Sequence, residues 1–194
     1  ADKQELTQGV LLFDDVTLLT GEVQSQLNLT HSFRACVPAN NWNLSGGGRE
    51  TKLTLSPSNE SQEQELAELT LDFSGSSRNA TLNFPARTLP GVPQHIALKG
   101  KGDPRGLKIT LHAYTHFMTF FKELSPTLTP EGFEFSTDMP PGNGWGYAGG
   151  ENDGKIHGPL RLGRIEWRGS ESKIYKLEDF DILLEALDAV GVVR

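Results

Sequence analysis

Apolar side chains alternate with polar ones along much of this chain. In residues 27–37 every second residue is apolar apart from His31, and the same period of two recurs at 69–73, 80–84 and 107–113. Successive side chains of a strand point to opposite faces, so this period predicts strands that turn one face to a core. The sequence therefore predicts a protein built from short strands.

Turn residues separate these stretches. The pair 69–73 and 80–84 flanks a Gly-Ser-Ser-Arg-Asn segment, which predicts a hairpin, and GKGDPRG at 100–106 is a tight turn of the kind that hairpins use. Gly163 separates apolar residues of opposite phase, which predicts a β-bulge. The apolar cluster 117–121 predicts a strand in the middle of the structure or a poorly exposed corner.

About ten short strands and no long amphipathic helix predict an all-β fold, a jelly-roll β-sandwich. The 194 residues fit a single domain, 1–194. The end of the chain is ambiguous, because 174–184 fits both a strand and a helical spacing. We expect a last strand through about Leu184 and then a short helical or frayed tail to Arg194.

Composition narrows the classes of partner. Hydrophobic residues make up 36% of the chain and charged residues 22%, enough for a core, and the formal net charge is -7. The sequence has no dense run of Lys or Arg and no apolar stretch of about 20 residues, so we expect neither nucleic acid nor a membrane as a partner. Cys36, the single cysteine, fits a small buried side chain.

Residues 142–162 form the segment that we take as the organising loop. Seven glycines exclude a helix, and a structureless loop of this length in a compact domain is usually functional or disordered. We interpret it as a shaped loop at the rim of the sandwich that offers Trp145 and Tyr147 to a ligand. The alternative is that the loop crosses the end of the sandwich with Trp145 tucked beneath it as a plug.

Aromatic rings beside hydrogen-bonding side chains are typical of sugar sites, because rings contact C–H groups while polar groups bind hydroxyls. The organising loop and a second loop near residue 42 both have this mixture. The predicted carbohydrate-binding residues are Trp145, Tyr147, Asn143, Asn152, Asp153 and Trp42.

Three stretches, 98–111, 145–167 and 174–184, carry a resemblance to a known family. Their order and spacing resemble the galactose-binding-like β-sandwich modules that accompany bacterial glycoside hydrolases and other polysaccharide-acting enzymes. The resemblance implies a late strand that closes beside the first. It also implies a non-catalytic, polysaccharide-binding accessory module, secreted, extracellular or periplasmic, with an attached catalytic domain as a further partner.

The same resemblance implies a structural calcium ion between the first and last strands. Calcium prefers carboxylate and carbonyl oxygens. The matching positions are Asp14 or Asp15 together with Asp181 or Asp179. The alternative is that these are solvated carboxylates at strand ends.

Two other functions stay open at this stage. A small jelly-roll lyase or hydrolase would need two carboxyl groups at a defined separation, and the candidates are Glu151, Asp153, Glu166 and Asp138. A purely structural spacer would bury Trp145. Serine-hydrolase and nucleotide motifs do not occur in the sequence.

Overall fold

The computed structural model of the protein describes residues 28–36, 39, 41–57, 65–89, 91–150 and 152–190. These residues form strands, turns and bends, with no helix among them, so none could serve as a membrane-spanning helix. Two antiparallel sheets face each other, which confirms the predicted all-β jelly-roll sandwich.

The first sheet has seven strands in the described part of the chain. They are β1 (Asn28–Cys36), β3 (Lys52–Pro57), β4 (Glu65–Asp72), β6 (Val92–Gly102), β9 (Thr127–Thr129), β10 (Gly132–Asp138) and β13 (Ile174–Val190). Their order is β3-β4-β13-β6-β10-β9, and β1 pairs with β13.

The second sheet has six described strands. They are β2 (Asn43–Gly46), β5 (Asn79–Thr88), β7 (Leu107–Tyr114), β8 (Met118–Leu124), β11 (Gly146–Gly149) and β12 (Arg161–Gly169). Their order is β11-β8-β7-β12-β5-β2. The last two strands of the chain, β12 and β13, therefore lie in the interior of different sheets.

Strand β13 is the longest and most extensively paired of the described strands. Its first part pairs with β4 and its last part with β1, while β6 runs beside it from Leu177 to Leu187. Among the described strands β13 pairs with the first, β1, but residues 1–27, which include Asp14 and Asp15, lie outside the described part, so the closure of a late strand beside the first stays a prediction. Because β13 joins β1, β4 and β6, it holds the seven-stranded sheet together.

Aromatic rings from both sheets meet edge to face in the core. The sequence of contacts, with distances between ring centroids, is Phe84–Trp42 5.4 Å, Trp42–Phe180 6.1 Å, Phe180–Trp167 5.5 Å, Trp167–Phe135 5.9 Å and Phe135–Phe133 5.6 Å. Phe180 and Phe135 come from the seven-stranded sheet and Trp167 from the other. This aromatic chain, Phe84 to Phe133, ties the sheets together, and Trp167 within it is fully buried.

The predicted hairpin between 69–73 and 80–84 is wrong. Strand β4 pairs with β3 and β13, whereas β5 pairs with β12 and β2, so the chain crosses from one sheet to the other at residues 73–78. The GKGDPRG segment likewise connects β6 and β7, which lie in different sheets. Turn residues mark where a strand ends but do not specify which strand becomes its neighbour.

The C-terminal prediction is wrong in part. Strand β13 continues past Leu184 to Val190, where helix or fraying was expected, because β1 pairs with it as far as that residue. The predicted bulge at Gly163 is confirmed, since the pairing of β12 shifts register between Leu162 and Arg164 toward both neighbours. The described apolar core residues form one cluster, and the single domain over 1–194 stays a prediction.

The aromatic chain generates a stability prediction. Phe180 is fully buried between Trp42 and Trp167, so Phe180→Ala should lower the free energy of unfolding by about 3–5 kcal/mol, as large-to-small core changes do. Denaturant unfolding measures the change. Leu128→Ala, at a residue that is 58% exposed, is the control and should stay within about 0.5 kcal/mol of wild type. If Phe180→Ala lowered the free energy of unfolding by less than about 1 kcal/mol, the stabilising role of the aromatic chain would be contradicted.

A buried histidine lies on β7 beside two charged residues of β12. His112 Nε2 is 3.4 Å from Glu166 Oε1, which Arg164 Nη2 contacts at 2.8 Å. Burial lowers the pKa of His112, and this outweighs the opposing charge of Glu166. The folded protein therefore favours neutral His112.

The pH dependence of stability follows from this. Because the pKa of His112 is lower in the folded than in the unfolded chain, whose value is about 6.5, its contribution to stability is present above that pH and is lost as the pH falls. We expect the Tm to decrease between about pH 7 and pH 5, and His112→Phe to reduce the decrease. His116→Ala, at an exposed histidine, should leave the profile unchanged. An identical slope in His112→Phe and wild type would contradict this assignment.

Candidate functional site

A groove of about 920 Å³ lies on the outer face of the seven-stranded sheet. Residues of β6, β10 and β13 form its floor, and residues from the segments 139–143 and 156–160 form its rim. Ile96 and Leu98 on β6 and Phe135 on β10 point into the core. Because side chains alternate along a strand, the residues next to them in sequence point outward. The groove therefore lies on the face of these strands that points away from the core.

Strand register arranges the floor in three rows. His95 is opposite both Glu185 on β13 and Asp138 on β10, and two residues further along β6 Ala97 is opposite Leu183 and Ser136. The third row places Lys99 opposite Asp181 and Glu134. Small Ala97 and Ser136 therefore lie between two rows of charged and hydrogen-bonding side chains.

The first row holds its polar groups through side-chain contacts. His95 Nδ1 is 3.1 Å from Asp138 Oδ1, and Asn143 Nδ2 donates to Asp138 Oδ2 over 3.1 Å. Both carboxylate oxygens of Asp138 are thus held by neighbours, although the side chain is 62% exposed. The row presents an imidazole, a carboxylate and an amide that are already positioned.

The third row is an ion pair. Lys99 Nζ is 3.1 Å from Glu134 Oε2. Partial burial raises the pKa of Glu134, but hydrogen bonds from Ser136 and Lys99 and the charge of Lys99 outweigh it, so the pKa lies below its ordinary value. Glu134 is therefore ionised near neutral pH and accepts hydrogen bonds.

The rim of the groove is mainly apolar. Its apolar residues are Met139, Pro140, Pro141, Ile156, Pro159 and Leu160, and the groove is also lined by apolar Val92 and Pro93 at the start of β6. Two backbone hydrogen bonds hold the rim to the sheets: Met139 N donates to Gln94 O over 2.8 Å, and Leu89 N donates to Leu160 O over 2.9 Å. Polar groups on the floor thus lie beside apolar groups at the edge.

Lys122 and Trp145 anchor the organising loop beside the groove. Lys122 Nζ donates to Thr137 Oγ1 on the opposite sheet over 2.7 Å and also to the carbonyl oxygen of Asn143. Trp145 Nε1 donates to the carbonyl oxygen of Asp138 over 2.8 Å. These bonds fix Asn143 and Asp138, which both line the groove.

The expectation that the tryptophans of the loops face outward is wrong. Trp145 and Trp42 are each 7% exposed and belong to the hydrophobic core. Trp145 is the plug of the alternative interpretation, and Trp42 packs between Phe84 and Phe180. A large indole that can be covered by neighbouring chain gains more from burial than from exposure, and a loop sequence does not reveal that cover.

The remaining predicted residues divide between the groove and the loop beside it. Asn143 lines the groove, whereas Tyr147 is 43% exposed on β11, with its ring against Gly154. Asn152 and Asp153 lie further along the same loop, and both are exposed. The predicted set therefore does not form one cluster.

Asp153 organises the loop locally. Its Oδ1 accepts a hydrogen bond from Lys155 N and its Oδ2 is 2.9 Å from His157 Nε2. The bond from the Lys155 backbone and that from His157 lower the pKa of Asp153. Its carbohydrate-binding role stays a prediction, as do those of Tyr147 and Asn152.

Sequence reasoning missed His95, Lys99, Glu134 and Glu185 as residues of a site. They lie on three strands far apart in the chain, and only the sheet order brings them together. Of the four carboxylates considered for catalysis, Asp138 lines the groove, Glu166 lies in the other sheet beside His112, and Asp153 lies in the loop. Glu151 lies outside the described residues.

The described residues do not by themselves provide a calcium site. Asp181 Oδ1 accepts a hydrogen bond from its neighbour Ile182 N over 2.7 Å, and Asp179 pairs with Lys101. No group of three or more His, Cys, Asp or Glu residues suited to a metal occurs in the part of the chain that the structure describes. Asp14 and Asp15 lie outside that part, so calcium stays a prediction.

No family model matches this sequence, and no curated protein matches it. Among solved structures, the chain is similar to a family 11 carbohydrate-binding module from Clostridium thermocellum in complex with a β-1,3-1,4-mixed-linked tetrasaccharide. Identity is 11%, the TM-score is 0.42, and the alignment covers 80% of this chain and 97% of that one.

Two further similar structures are a family 61 module in complex with β-1,4-galactotriose and a xylan-binding domain of family 22. The first has 15% identity and a TM-score of 0.35, covering 75% of this chain and 89% of that one. The second has 11% identity and a TM-score of 0.33, covering 80% and 91%. All three are carbohydrate-binding modules, the class that the sequence resembles.

The burial of the indoles can be checked directly. All three tryptophans are at most 7% exposed, so iodide should quench the intrinsic tryptophan fluorescence only weakly, and denaturation should remove this protection. Leu128→Trp, which places an indole at an exposed site, is the positive control and should be quenched strongly. Strong quenching of the wild-type protein would contradict the described positions of Trp42 and Trp145.

Proposed function

We propose that the protein is a non-catalytic carbohydrate-binding module that binds polysaccharide in the groove. The observation that carries the proposal is the group His95, Asp138 and Asn143, whose side chains hold one another in place beside the apolar rim. Sugars present hydroxyl groups and C–H faces together, so a site for them needs positioned donors and acceptors beside apolar surface. The groove volume falls within the range of small-ligand and oligosaccharide sites.

The charges of the groove favour a neutral glycan. Three carboxylates, from Glu134, Asp138 and Glu185, line it, against the single ammonium group of Lys99. This excess of negative charge opposes uronate and sulfate groups. The proposal includes the location and context expected for such a module: a secreted or extracytoplasmic protein, joined to or acting beside a polysaccharide-active enzyme.

Affinity electrophoresis against soluble neutral polysaccharides tests the proposal. We expect retardation by at least one glucan, xylan, galactan or mannan, and weaker retardation by its carboxymethylated form. His95→Ala and Asp138→Asn should each weaken binding about 10- to 100-fold, the effect of losing a hydrogen bond with a charged partner. Both side chains are partly exposed, so the variants should fold.

Lys108→Ala provides the matched control. Lys108 forms an exposed ion pair with Glu123, at 3.0 Å, on the other sheet, and its loss should leave binding unchanged. Absence of retardation by every polysaccharide would overturn the proposal in favour of a structural spacer. Release of reducing ends or of an unsaturated uronate from a bound polysaccharide would instead indicate an enzyme.

A further inference from the structure

Phe117 has a backbone conformation that is costly for its residue type. In the described part of the chain five residues other than glycine have a positive φ, and four of them are Asn or Asp: Asn41, Asn143, Asn152 and Asp179. Asn and Asp tolerate the left-handed region, whereas a bulky aromatic residue there is an outlier. Phe117, at φ 63°, is that outlier.

Phe117 lies at a position of its turn where glycine is the usual residue. Strands β7 and β8 pair as far as Tyr114 and Thr119, and Thr115 N donates to Met118 O over 2.9 Å, so His116 and Phe117 are the two central residues of the turn. A turn with a positive φ at its second central residue normally has glycine there. This chain has phenylalanine where glycine would fit without strain.

Neighbouring backbone holds the conformation in place. His116 N donates to the carbonyl oxygen of His157 over 3.2 Å. On the other side Gly149 and Gly150 lie so close that an added Cβ would be 2.9 and 3.0 Å from the carbonyl oxygen of Phe117. A strained residue persists when its surroundings fix it in this way, and such residues concentrate at functional sites.

The ring of Phe117 is not used by the core. It is 76% exposed, the largest exposure among the large hydrophobic residues described, and its ring centroid lies 3.8 Å from that of His116. The prediction that the 117–121 cluster is a strand in the middle of the structure or a poorly exposed corner is therefore wrong at this residue. The protein bears both backbone strain and an exposed aromatic ring here, and this ring does not belong to the described hydrophobic core.

The turn lies next to the groove. Ile156 lines the groove and is 38% exposed, and the following residue, His157, accepts the hydrogen bond from His116. The Cα atoms of Phe117 and Ile156 are joined through His116, its hydrogen bond to His157, and His157. The bond lengths along this path sum to about 15 Å, so the two Cα atoms are no further apart than that. An extended polysaccharide that leaves the groove over Ile156 can reach the Phe117 ring.

We propose that Phe117 is a second contact for the polysaccharide outside the groove, where the apolar face of a sugar residue packs on its ring. The inference rests on the proposed function, because the chain that reaches Phe117 is the one bound in the groove. An exposed ring provides the flat apolar surface that C–H groups of a sugar contact. The protein therefore prefers long chains over short oligosaccharides.

Phe117→Gly should have two separate effects, one on thermal stability and one on polysaccharide binding. Removing the left-handed phenylalanine should raise the Tm by about 2–4 °C, since glycine adopts this conformation without strain. The same variant should bind the polysaccharide roughly tenfold more weakly, while short oligosaccharides that fit within the groove bind as in wild type. Phe117→Tyr, which keeps an aromatic ring, should retain the affinity for long chains.

Calorimetric titration with oligosaccharides of increasing length, prepared from a polysaccharide that the protein binds, gives the readout. Leu128→Ala removes another exposed apolar side chain and should change nothing. If Phe117→Gly binds long chains as tightly as wild type while His95→Ala still weakens binding, the Phe117 contact is overturned and the groove stands. If neither short nor long chains bind the wild-type protein, both proposals fail together.

Discussion

The edge-to-face contact of Phe180 with Trp167 joins the two sheets at the centre of the sandwich. Phe180 comes from the strand that pairs with β4 and β6, and Trp167 from the strand that pairs with β5 and β7. Because each ring belongs to an interior strand, the contact fixes how the sheets face each other. Edge-to-face geometry also restricts orientation, which purely aliphatic packing does less strongly.

This arrangement determines which side chains are left for function. Ile96, Leu98 and Phe135 are buried in the core. Because side chains alternate along a strand, His95, Lys99 and Glu134 then point outward. A shift of the strand register by one residue would exchange the two sets. The charged rows of the groove are thus a consequence of core packing. Antiparallel register then places residues of opposite charge beside each other, as in the Lys99–Glu134 pair.

The organising loop connects the core to the groove. Trp145 lies inside the sandwich, and its indole N–H binds the carbonyl group of Asp138, whose carboxylate faces the groove. Lys122 extends between the sheets to the same loop. The loop therefore uses Trp145 to support polar groups of the groove floor, rather than to offer that indole to a ligand.

Alternation at 107–113 and 27–37 was sufficient to predict strands, and the phase change at Gly163 was sufficient to predict the bulge, because both depend on neighbouring residues alone. The sequence could not reveal that 69–73 and 80–84 belong to different sheets, because turn residues do not specify strand partners. It also could not assemble the groove: Asn143 and Asp138 attracted attention as single residues, whereas His95, Lys99 and Glu185 became site residues only through strand order.

By itself, then, the sequence determined that the chain forms strands, which of their faces are apolar, and where the chain turns, since these are local properties of side chains and backbone. The tertiary structure decided the burial of Trp42 and Trp145, the exposure of Phe117, and the meeting of three distant strands in one groove. Those outcomes depend on which parts of the two sheets and their loops pack against each other. The packing of the whole sandwich determines this, and no single segment of the sequence does.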